Sequence, residues 1–453
     1  MVASAKSSDT PLGRYLASAG GSFHPALYGK QDSYGTSVYT SEPLSSGCKV
    51  VCCPFSLAAT PTLARQSIPD PLFPSSPPSS QRKNRQPNHE LMALYLCLHL
   101  LPPETVQRVT GLDLQHNVYV DSLPRSPTMR TPLYFSAAER ELLRGSNLYG
   151  ATEDRERGWK EEWEEVRSWV TDEQVREELS WERWLWACTI ISSRAFPSHL
   201  IDGDKDNSTP VLFPGIDLLN HRPQAKVTWS SDVHVETLGG KGSLTIVLDE
   251  DAKAEEQIHN TYGAKSNEEL LLGYGFVLPS NPADFVALKL SLPPNCSPTL
   301  FDLIHTLKLD NLRHFVPRSG ELPRELLAQM RLLVASGEEV AEVDAASQDG
   351  KGWDEAVGFI SWENELDVLD TLEGMLHGKL AALVNAGEPE GEVREDVREM
   401  VEIYRQGQID ILQAAVAYRE KVFEETIARA EEAGVELAFE DEEMDDMEEE
   451  DEE

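Results

Sequence analysis

The sequence predicts an α+β protein, in which a β-rich unit is split by a helical insertion and followed by an all-α C-terminal domain and a disordered acidic tail. Three observations lead to this prediction. Short β-branched and aromatic runs occur in two separate places. Apolar residues recur at helical spacing between and after these runs. The final residues are almost all acidic. The implied parts are 21–66 (β-rich), 67–88 (Pro/Ser-rich linker), 89–192 (helical insert), 193–280 (β-rich), 285–434 (helical) and 435–453 (tail).

The first β-rich part contains two strand-like runs, 37–40 and 49–53, separated by turn residues at 43–47. Their β-branched and aromatic side chains favour strands. The following stretch, from Ser67 to Asn88, is dominated by Pro and Ser. Because such a composition continues neither strand nor helix, we expect a mobile linker or surface loop there.

The helical insert begins at Asn88, which we expect to cap a helix that ends at Pro102. A second helical region is expected from about Ser136 to Ser193, ending before Pro197 because proline disfavours helix at the preceding residue. Aromatic residues at helical spacing usually belong to a core. The tryptophans of this region are Trp159, Trp163, Trp169, Trp181, Trp184 and Trp186.

The second β-rich part carries the polar residues that point to a site. Two alternating runs joined by the glycine-rich segment 239–242 predict a β-hairpin. Asn220 and His221 precede this hairpin, and Tyr262 follows it. Glycines nearby allow another molecule to approach the backbone. The pattern therefore predicts a cofactor and substrate site.

The remainder of the chain is expected to be helical. The ranges 288–333 and 354–385 favour helices, and 392–433 is typical of one long or broken amphipathic helix. The tail 441–453 contains too few apolar residues to fold alone.

Charge restricts the possible partners. The 453 residues carry a formal net charge of -38, of which the twelve acidic residues in 440–453 supply -12, leaving -26 for the body. Such a surface repels phosphate backbones, so no direct nucleic-acid contact is expected, and it attracts basic proteins. The alternative is that the acidity only improves solubility.

Cysteine usage and hydropathy indicate the compartment. The six cysteines show no CxxC spacing, which favours neither a disulfide framework nor a zinc site. No run reaches the ~20 apolar residues that span a bilayer, and the N-terminus lacks a signal-peptide core. We therefore expect a monomer in the cytoplasm, the nucleus or both, with no metal and no membrane contact.

Six motifs together identify a family resemblance. They are the segments 35–40, 193–196, 217–221, 262–267, 273–276 and 404–408. With these motifs the chain resembles SET-domain protein methyltransferases of the Rubisco large-subunit methyltransferase type, in which a helical insert splits the SET fold and a helical Rubisco LSMT substrate-binding domain follows. One departure is Ser37, where the family usually has the second glycine of Gly-x-Gly.

The resemblance implies S-adenosylmethionine as cofactor and transfer of its methyl group to a protein lysine. Tyr262 is the implied catalytic residue, and a substrate channel is implied at Phe196, Tyr262 and Tyr274. The implied cofactor-binding residues are Gly35, Ser37, Arg194, Asp217, Asn220, His221, Tyr274, Gly275 and Phe276.

Each of these roles has a structural alternative. Tyr262 could be a buried structural tyrosine, Arg194 could form a surface ion pair, and Asn220 with His221 could merely cap a turn. A dinucleotide fingerprint at Gly273-Tyr274-Gly275 is disfavoured, because Leu278 occupies the third glycine position.

The substrate prediction combines charge with the resemblance. A basic protein, such as a ribosomal or translation protein, suits the acidic body. One branch of the resembling family methylates a histidine of actin and carries a polar residue where this chain has Phe196, so the resemblance favours lysine here. The alternatives are a catalytically inactive SET scaffold that binds a basic partner and an acidic histone chaperone.

Overall fold

The structure is a computed structural model of the chain. It describes residues 6–32, 35–70, 72–74, 88–232, 242–293, 296–387 and 389–437. Most of the predicted linker, most of the glycine-rich turn and residues 438–453 of the predicted tail lie outside these ranges.

The strands from both β-rich parts join in one sheet. The sheet contains, in spatial order, the strands Ser22–Phe23 (β1), Lys49–Pro54 (β4), Ser243–Leu248 (β8) and Val227–Ser231 (β7). All neighbours are antiparallel, and Val51 of β4 faces Ile246 of β8. Smaller antiparallel pairs are β2–β3, β5–β6 and β9–β10. The strands are β1 (Ser22–Phe23), β2 (Leu27–Asp32), β3 (Gly35–Thr40), β4 (Lys49–Pro54), β5 (Phe196–Pro197), β6 (Pro210–Val211), β7 (Val227–Ser231), β8 (Ser243–Leu248), β9 (Phe285–Lys289) and β10 (Arg313–Pro317).

Helices make up most of the described chain. Short 3-10 turns lie at Ser7–Asp9, Phe55–Leu57, Ser126–Thr128, Pro132–Tyr134 and Ile216–Leu218. The α-helices are α1 (Pro11–Ser18), α2 (Pro61–Ser67), α3 (His89–Leu98), α4 (Pro103–Thr110), α5 (Asn117–Ser122), α6 (Ala137–Glu141), α7 (Asn147–Trp169), α8 (Glu173–Glu178), α9 (Trp181–Arg194), α10 (His199–Asp202), α11 (Asn267–Tyr274), α12 (Pro298–Thr306), α13 (Arg324–Val334), α14 (Gly337–Gln348), α15 (Trp353–Ala356), α16 (Trp362–Val384) and α17 (Glu395–Glu432).

The chain divides into two compact units. The first contains 1–141, 148–278 and 390–400, and the second contains 142–147, 279–389 and 401–453. In the first unit, α3 is buried along its whole length and packs against α9. A helix that is apolar all round belongs in a core, and this one is central to the core of the first unit. None of the described helices combines the length and apolar composition that crossing a membrane requires.

Several predictions of local structure are confirmed. The runs 37–40 and 49–53 form β3 and β4, and the runs around the glycine-rich segment pair as β7 and β8. The helical region expected from about Ser136 to Ser193 ends with α9 at Arg194, one residue after the expected end. Trp184 and Trp186 are buried, and the other tryptophans of the insert pack against the same core.

Three predictions need correction. Asn88 precedes α3 in a left-handed conformation (φ 61°), and its side chain makes no capping hydrogen bond. The start of the predicted linker is packed, since Ile68 and Leu72 are each 1% exposed. The range 288–333 is not helical throughout, because it contains the end of β9 and all of β10. The second unit is therefore mostly helical and also contains a strand pair. Buried and exposed residues alternate along β10, but the strand has only five residues, so the alternation is not evident in the sequence.

Candidate active site

Two chain segments, 216–222 and 257–262, lie side by side and carry the predicted central residues. The Asn220 carbonyl accepts the backbone N–H of Asn260 at 2.8 Å. His221 forms a parallel bridge with Asn260. These backbone contacts bring Asn220 and His221 next to the residues that follow Asn260.

Aromatic rings stack at this junction. The rings of His221 and Tyr262 are 4.9 Å apart with an interplanar angle of 20°, and those of Tyr262 and Tyr274 are 5.0 Å apart at 23°. Phe276 lies 6.2 Å from both His221 and Tyr274. We call His221, Tyr262 and Tyr274 the ring stack. Each such pair contributes about 0.5–1.5 kcal/mol beyond the burial of its area.

Tyr262 is held at its hydroxyl and at its backbone. Its hydroxyl donates to the Leu219 carbonyl oxygen at 3.0 Å, and its backbone N–H donates to His221 Nδ1 at 3.0 Å. Burial raises the pKa of the Tyr262 phenol above its ordinary value, and Arg194 opposes that shift. The phenol is therefore neutral at pH 7. Its proton is directed at the Leu219 carbonyl, so its oxygen can still accept hydrogen bonds.

His221 is neutral and its tautomer follows from its contacts. Because Nδ1 accepts the Tyr262 N–H, the ring proton lies on Nε2. Burial, with a smaller effect from His259, lowers the pKa of His221 to about 4. Neither His221 nor Tyr262 thus carries charge at neutral pH.

The conformation of Gly275 has a packing reason. Gly275 ends α11 with φ 80°, in the left-handed region. A Cβ there would meet the carbonyl carbon of Arg130 and the nitrogen of Thr131, each at 2.9 Å. The sequence assigned Gly275 to cofactor binding, and the structure places it against this neighbouring backbone, where only glycine fits.

An ion pair with a buried carboxylate, Arg194–Asp217, lies beside the ring stack. Arg194 Nη1 donates to the Asp217 carbonyl at 2.8 Å and to its Oδ2 at 3.1 Å. The Tyr119 hydroxyl donates to the same Oδ2 at 2.9 Å, and the Gly215 N–H donates to Oδ1 at 3.2 Å. Burial raises the pKa of the Asp217 carboxyl, whereas Arg194 and Tyr119 lower it. We call Tyr119, Arg194 and Asp217 the carboxylate clamp.

Arg194 keeps part of its hydrogen-bonding capacity. Its side chain is 22% exposed, and its Nε and Nη2 atoms make no hydrogen bond within the described residues. The sequence predicted that Arg194 and Asp217 contact the cofactor. In the structure the two bind each other, and one edge of the guanidinium stays available.

Sequence reasoning missed Tyr119. It lies in α5 of the helical insert, 98 positions before Asp217, and no motif or spacing connects the two. The one available signal was its position between Val118 and Val120, and that context is equally typical of core packing.

Ser37 and Gly35 are the two predicted site residues that come from the first β-rich part, and both lie in β3. Ser37 is fully buried, and its Oγ accepts a hydrogen bond from Asn220 Nδ2 at 2.7 Å. Gly35 begins β3 with φ 105°, and a Cβ there would meet nothing within 4 Å. The structure therefore brings Ser37 to Asn220 and leaves Gly35 at an open edge.

Phe196 belongs to another set of ring contacts. Its ring lies 5.0 Å from that of Trp229 and 5.7 Å from that of Phe213. The sequence grouped Phe196 with Tyr262 and Tyr274 in a substrate channel. The structure brings the two tyrosines together and places Phe196, which is 7% exposed, in the adjoining core.

One group of possible metal ligands lies elsewhere in the described residues. Atoms of His89, Glu162 and Cys188, all buried, lie within 4.8 Å of one another. His89 Nδ1 is 2.8 Å from Glu162 Oε1, a hydrogen-bonding distance at which the two side chains satisfy each other. This group is explained as a polar contact inside the helical insert.

Comparison with known proteins supports the resemblance. Residues 299–412 match the family model for the Rubisco LSMT substrate-binding domain. The solved structure of the SET domain of LSMT bound to lysine and AdoHcy superposes with a TM-score of 0.72 at 18% identity, covering 93% of this chain and 95% of that one. The chain therefore has the split SET fold that the motifs predicted, and its helical C-terminal part is similar to the Rubisco LSMT substrate-binding domain.

Two fungal proteins are similar in sequence. Ribosomal lysine N-methyltransferase set10 of Schizosaccharomyces pombe is 30% identical over 389 residues, 84% of this chain and 65% of that protein. Ribosomal lysine N-methyltransferase 1 of Saccharomyces cerevisiae is 29% identical over 237 residues, 45% of this chain and 39% of that protein. The chain thus matches less than two thirds of the length of either relative.

Proposed function

We propose that this SET-fold chain is an S-adenosylmethionine-dependent protein-lysine N-methyltransferase. The observation that carries the proposal is the ring stack, with the Tyr262 hydroxyl fixed on the Leu219 carbonyl beside Asn220 and His221. Two relatives named as ribosomal lysine N-methyltransferases, and a SET-fold neighbour bound to lysine and AdoHcy, support the same activity.

The side chains fit such a cofactor. The available edge of Arg194 suits the carboxylate of the cofactor, because a guanidinium edge presents two parallel N–H groups. Asn220 offers its amide oxygen, for which no donor is present among the described residues. Aromatic faces, such as those of the ring stack, attract cationic groups.

The residues of this chain supply alignment more than acid-base chemistry. When bound, S-adenosylmethionine provides a methyl group that is already activated by its positive sulfur. Tyr262 can accept weak CH···O contacts from that methyl, since its own proton is directed at Leu219. Holding an amine and a methyl carbon in line contributes several kcal/mol to such a reaction.

The acceptor lysine must lose its proton. With an ordinary lysine pKa of about 10.4, deprotonation at pH 7 costs roughly 4.6 kcal/mol. The neutral His221 and Tyr262 add no negative charge that would hold the ammonium form. An apolar wall of rings lowers a lysine pKa, so desolvation offsets most of this cost without a dedicated base.

The proposed substrate is a basic, non-histone protein of the ribosomal or translation-related class. The chain carries a net charge of -38, which steers basic proteins towards it. Both fungal relatives are named for ribosomal lysine methylation. We further propose that the chain acts as a monomer in the cytoplasm, the nucleus or both, without direct contact to nucleic acid.

The test uses labelled S-adenosylmethionine and ribosomal proteins produced without methylation. We expect wild type to label at least one of these proteins at lysine. Tyr262→Phe should lose most of that labelling, because the oxygen beside the methyl is removed. The matched control is Tyr134→Phe, which removes a hydroxyl bonded to Thr189.

Each other result excludes part of the proposal. Label recovered as methylhistidine would show that lysine is not the acceptor. Label on histones in a parallel assay, with none on the ribosomal proteins, would exclude the ribosomal substrate class. If wild type does not bind S-adenosylmethionine in calorimetry, the chain is an inactive scaffold and the proposal fails.

A further inference from the structure

We propose that Tyr119, contributed by the helical insert, is a positioning residue for the cofactor site. Its hydroxyl holds the Asp217 carboxylate in the orientation that aims Arg194 at the carboxylate of the bound cofactor. The inference rests on the proposed function, because that function identifies the ligand of Arg194.

The carboxylate clamp is a buried unit. The Asp217 side chain is 0% exposed, and Tyr119 is 1% exposed. Because the carboxylate is closed off from solvent, the Tyr119 hydroxyl, the Gly215 N–H and Arg194 Nη1 supply its hydrogen bonds. Removing the hydroxyl leaves Oδ2 with Arg194 as its only donor in the described chain, so the carboxylate is held less firmly against rotation about its Cβ–Cγ bond.

The orientation of Asp217 passes directly to Arg194. A guanidinium group is planar and rigid, so two hydrogen bonds at Nη1 determine the direction of the opposite edge. That edge, Nε and Nη2, is the one available for a carboxylate. Tyr119 therefore acts on the ligand through Asp217 and Arg194 without contacting the ligand.

The groups facing Asp217 come from four elements. They are Arg194 at the end of α9, Tyr119 in α5, Cys53 in β4, and Tyr262 before α11. Burial raises the pKa values of the Cys53 thiol and of the Tyr119 and Tyr262 phenols, so these three are neutral at pH 7. The charges at the clamp are those of Asp217 and Arg194.

This arrangement sets the direction of a pH effect. The Asp217 carboxyl has a pKa above its ordinary value because of burial, and the Tyr119 hydrogen bond opposes that shift. Without the hydroxyl, Asp217 takes up a proton at a higher pH and releases Arg194 there. The pH below which the cofactor binds more weakly should then be higher in a variant without the hydroxyl than in wild type.

The experiment measures binding of S-adenosylhomocysteine by calorimetry, from pH 8 down to pH 5. We expect Tyr119→Phe to bind roughly tenfold more weakly at pH 7.5, and its affinity to fall at a higher pH than that of wild type. The matched control is Tyr95→Phe, which removes a buried hydroxyl bonded to His116 Nδ1 at 2.7 Å and should bind like wild type.

Binding in an Arg194→Ala background separates positioning from general damage. If Tyr119 acts through Arg194, Tyr119→Phe should cause little further loss in that background, whereas a merely structural effect would be additive. If Tyr119→Phe does not fold, Asp217→Asn replaces it. We expect the same weakening of binding at pH 7.5, and no further loss of affinity as the pH falls to 5, because the carboxyl that titrates has been removed.

The outcomes distinguish the two proposals. Wild type that does not bind S-adenosylhomocysteine overturns the proposed function and this inference with it. Wild type that binds, with Tyr119→Phe or its replacement Asp217→Asn binding equally well across the pH range, overturns the inference alone. Equal losses in Tyr119→Phe and Tyr95→Phe would also overturn it.

Discussion

The ring stack and the carboxylate clamp lie in the same site but are assembled differently. All three rings of the stack belong to the second β-rich part, and His221 and Tyr262 are 41 positions apart. The clamp joins that part to the helical insert, with 98 positions between Tyr119 and Asp217. The stack holds its members by ring contacts and one backbone hydrogen bond, whereas the clamp pairs a buried carboxylate, Asp217, with the partly buried guanidinium of Arg194.

This difference determines how each part tolerates change. A ring pair contributes about 0.5–1.5 kcal/mol, and losing one ring leaves apolar neighbours that can adjust. A buried ion pair that loses one partner leaves a charge without compensation, at about 3–5 kcal/mol. We therefore expect the clamp to be the more sensitive half of the site.

The largest effect is expected from Asp217→Ala. This change leaves the Arg194 charge without its partner, and the free energy of unfolding should fall by about 3–5 kcal/mol in urea titrations. The control is Glu250→Ala, which breaks the Arg222–Glu250 pair, whose side chains are 42% and 41% exposed. Exposed pairs contribute about 0–1 kcal/mol, so equal losses in the two variants would contradict the comparison.

A smaller effect is expected from Gly275→Ala, at the end of the helix that carries Tyr274. A left-handed alanine is strained, and its Cβ would meet the backbone of Arg130 and Thr131 at 2.9 Å. We expect a loss of about 2–4 kcal/mol in the free energy of unfolding.

Gly263→Ala is the matched control for that change. Gly263 has φ 89° but nothing within 4 Å of an added Cβ, so only the conformational strain of about 1–2 kcal/mol applies. If both glycine variants lose the same stability, the packing explanation for Gly275 is wrong.

Local motifs singled out the residues of the stack and two of the three clamp residues, Arg194 and Asp217, whereas nothing in the local sequence singled out Tyr119. Asn220, His221 and Tyr262 lie in short motifs whose residue types already indicate a site. Tyr119 has the sequence context of an ordinary core tyrosine, and its role depends on a contact that only folding creates. The same limit explains β10, a five-residue strand with too few residues to reveal its period.

The smallest effect is expected from Ser37→Ala, which tests how the first β-rich part supports the site. The change removes the acceptor of the Asn220 amide, a buried hydrogen bond of 2.7 Å worth about 1 kcal/mol. Asn220 then loses its fixed rotation, so S-adenosylhomocysteine should bind roughly threefold more weakly while unfolding changes little. Thr36→Ala, which removes an exposed hydroxyl on the same strand, should leave binding unchanged. If Ser37→Ala also leaves binding unchanged, Asn220 is positioned by its backbone contacts with Asn260 alone, and β3 supports the site through packing.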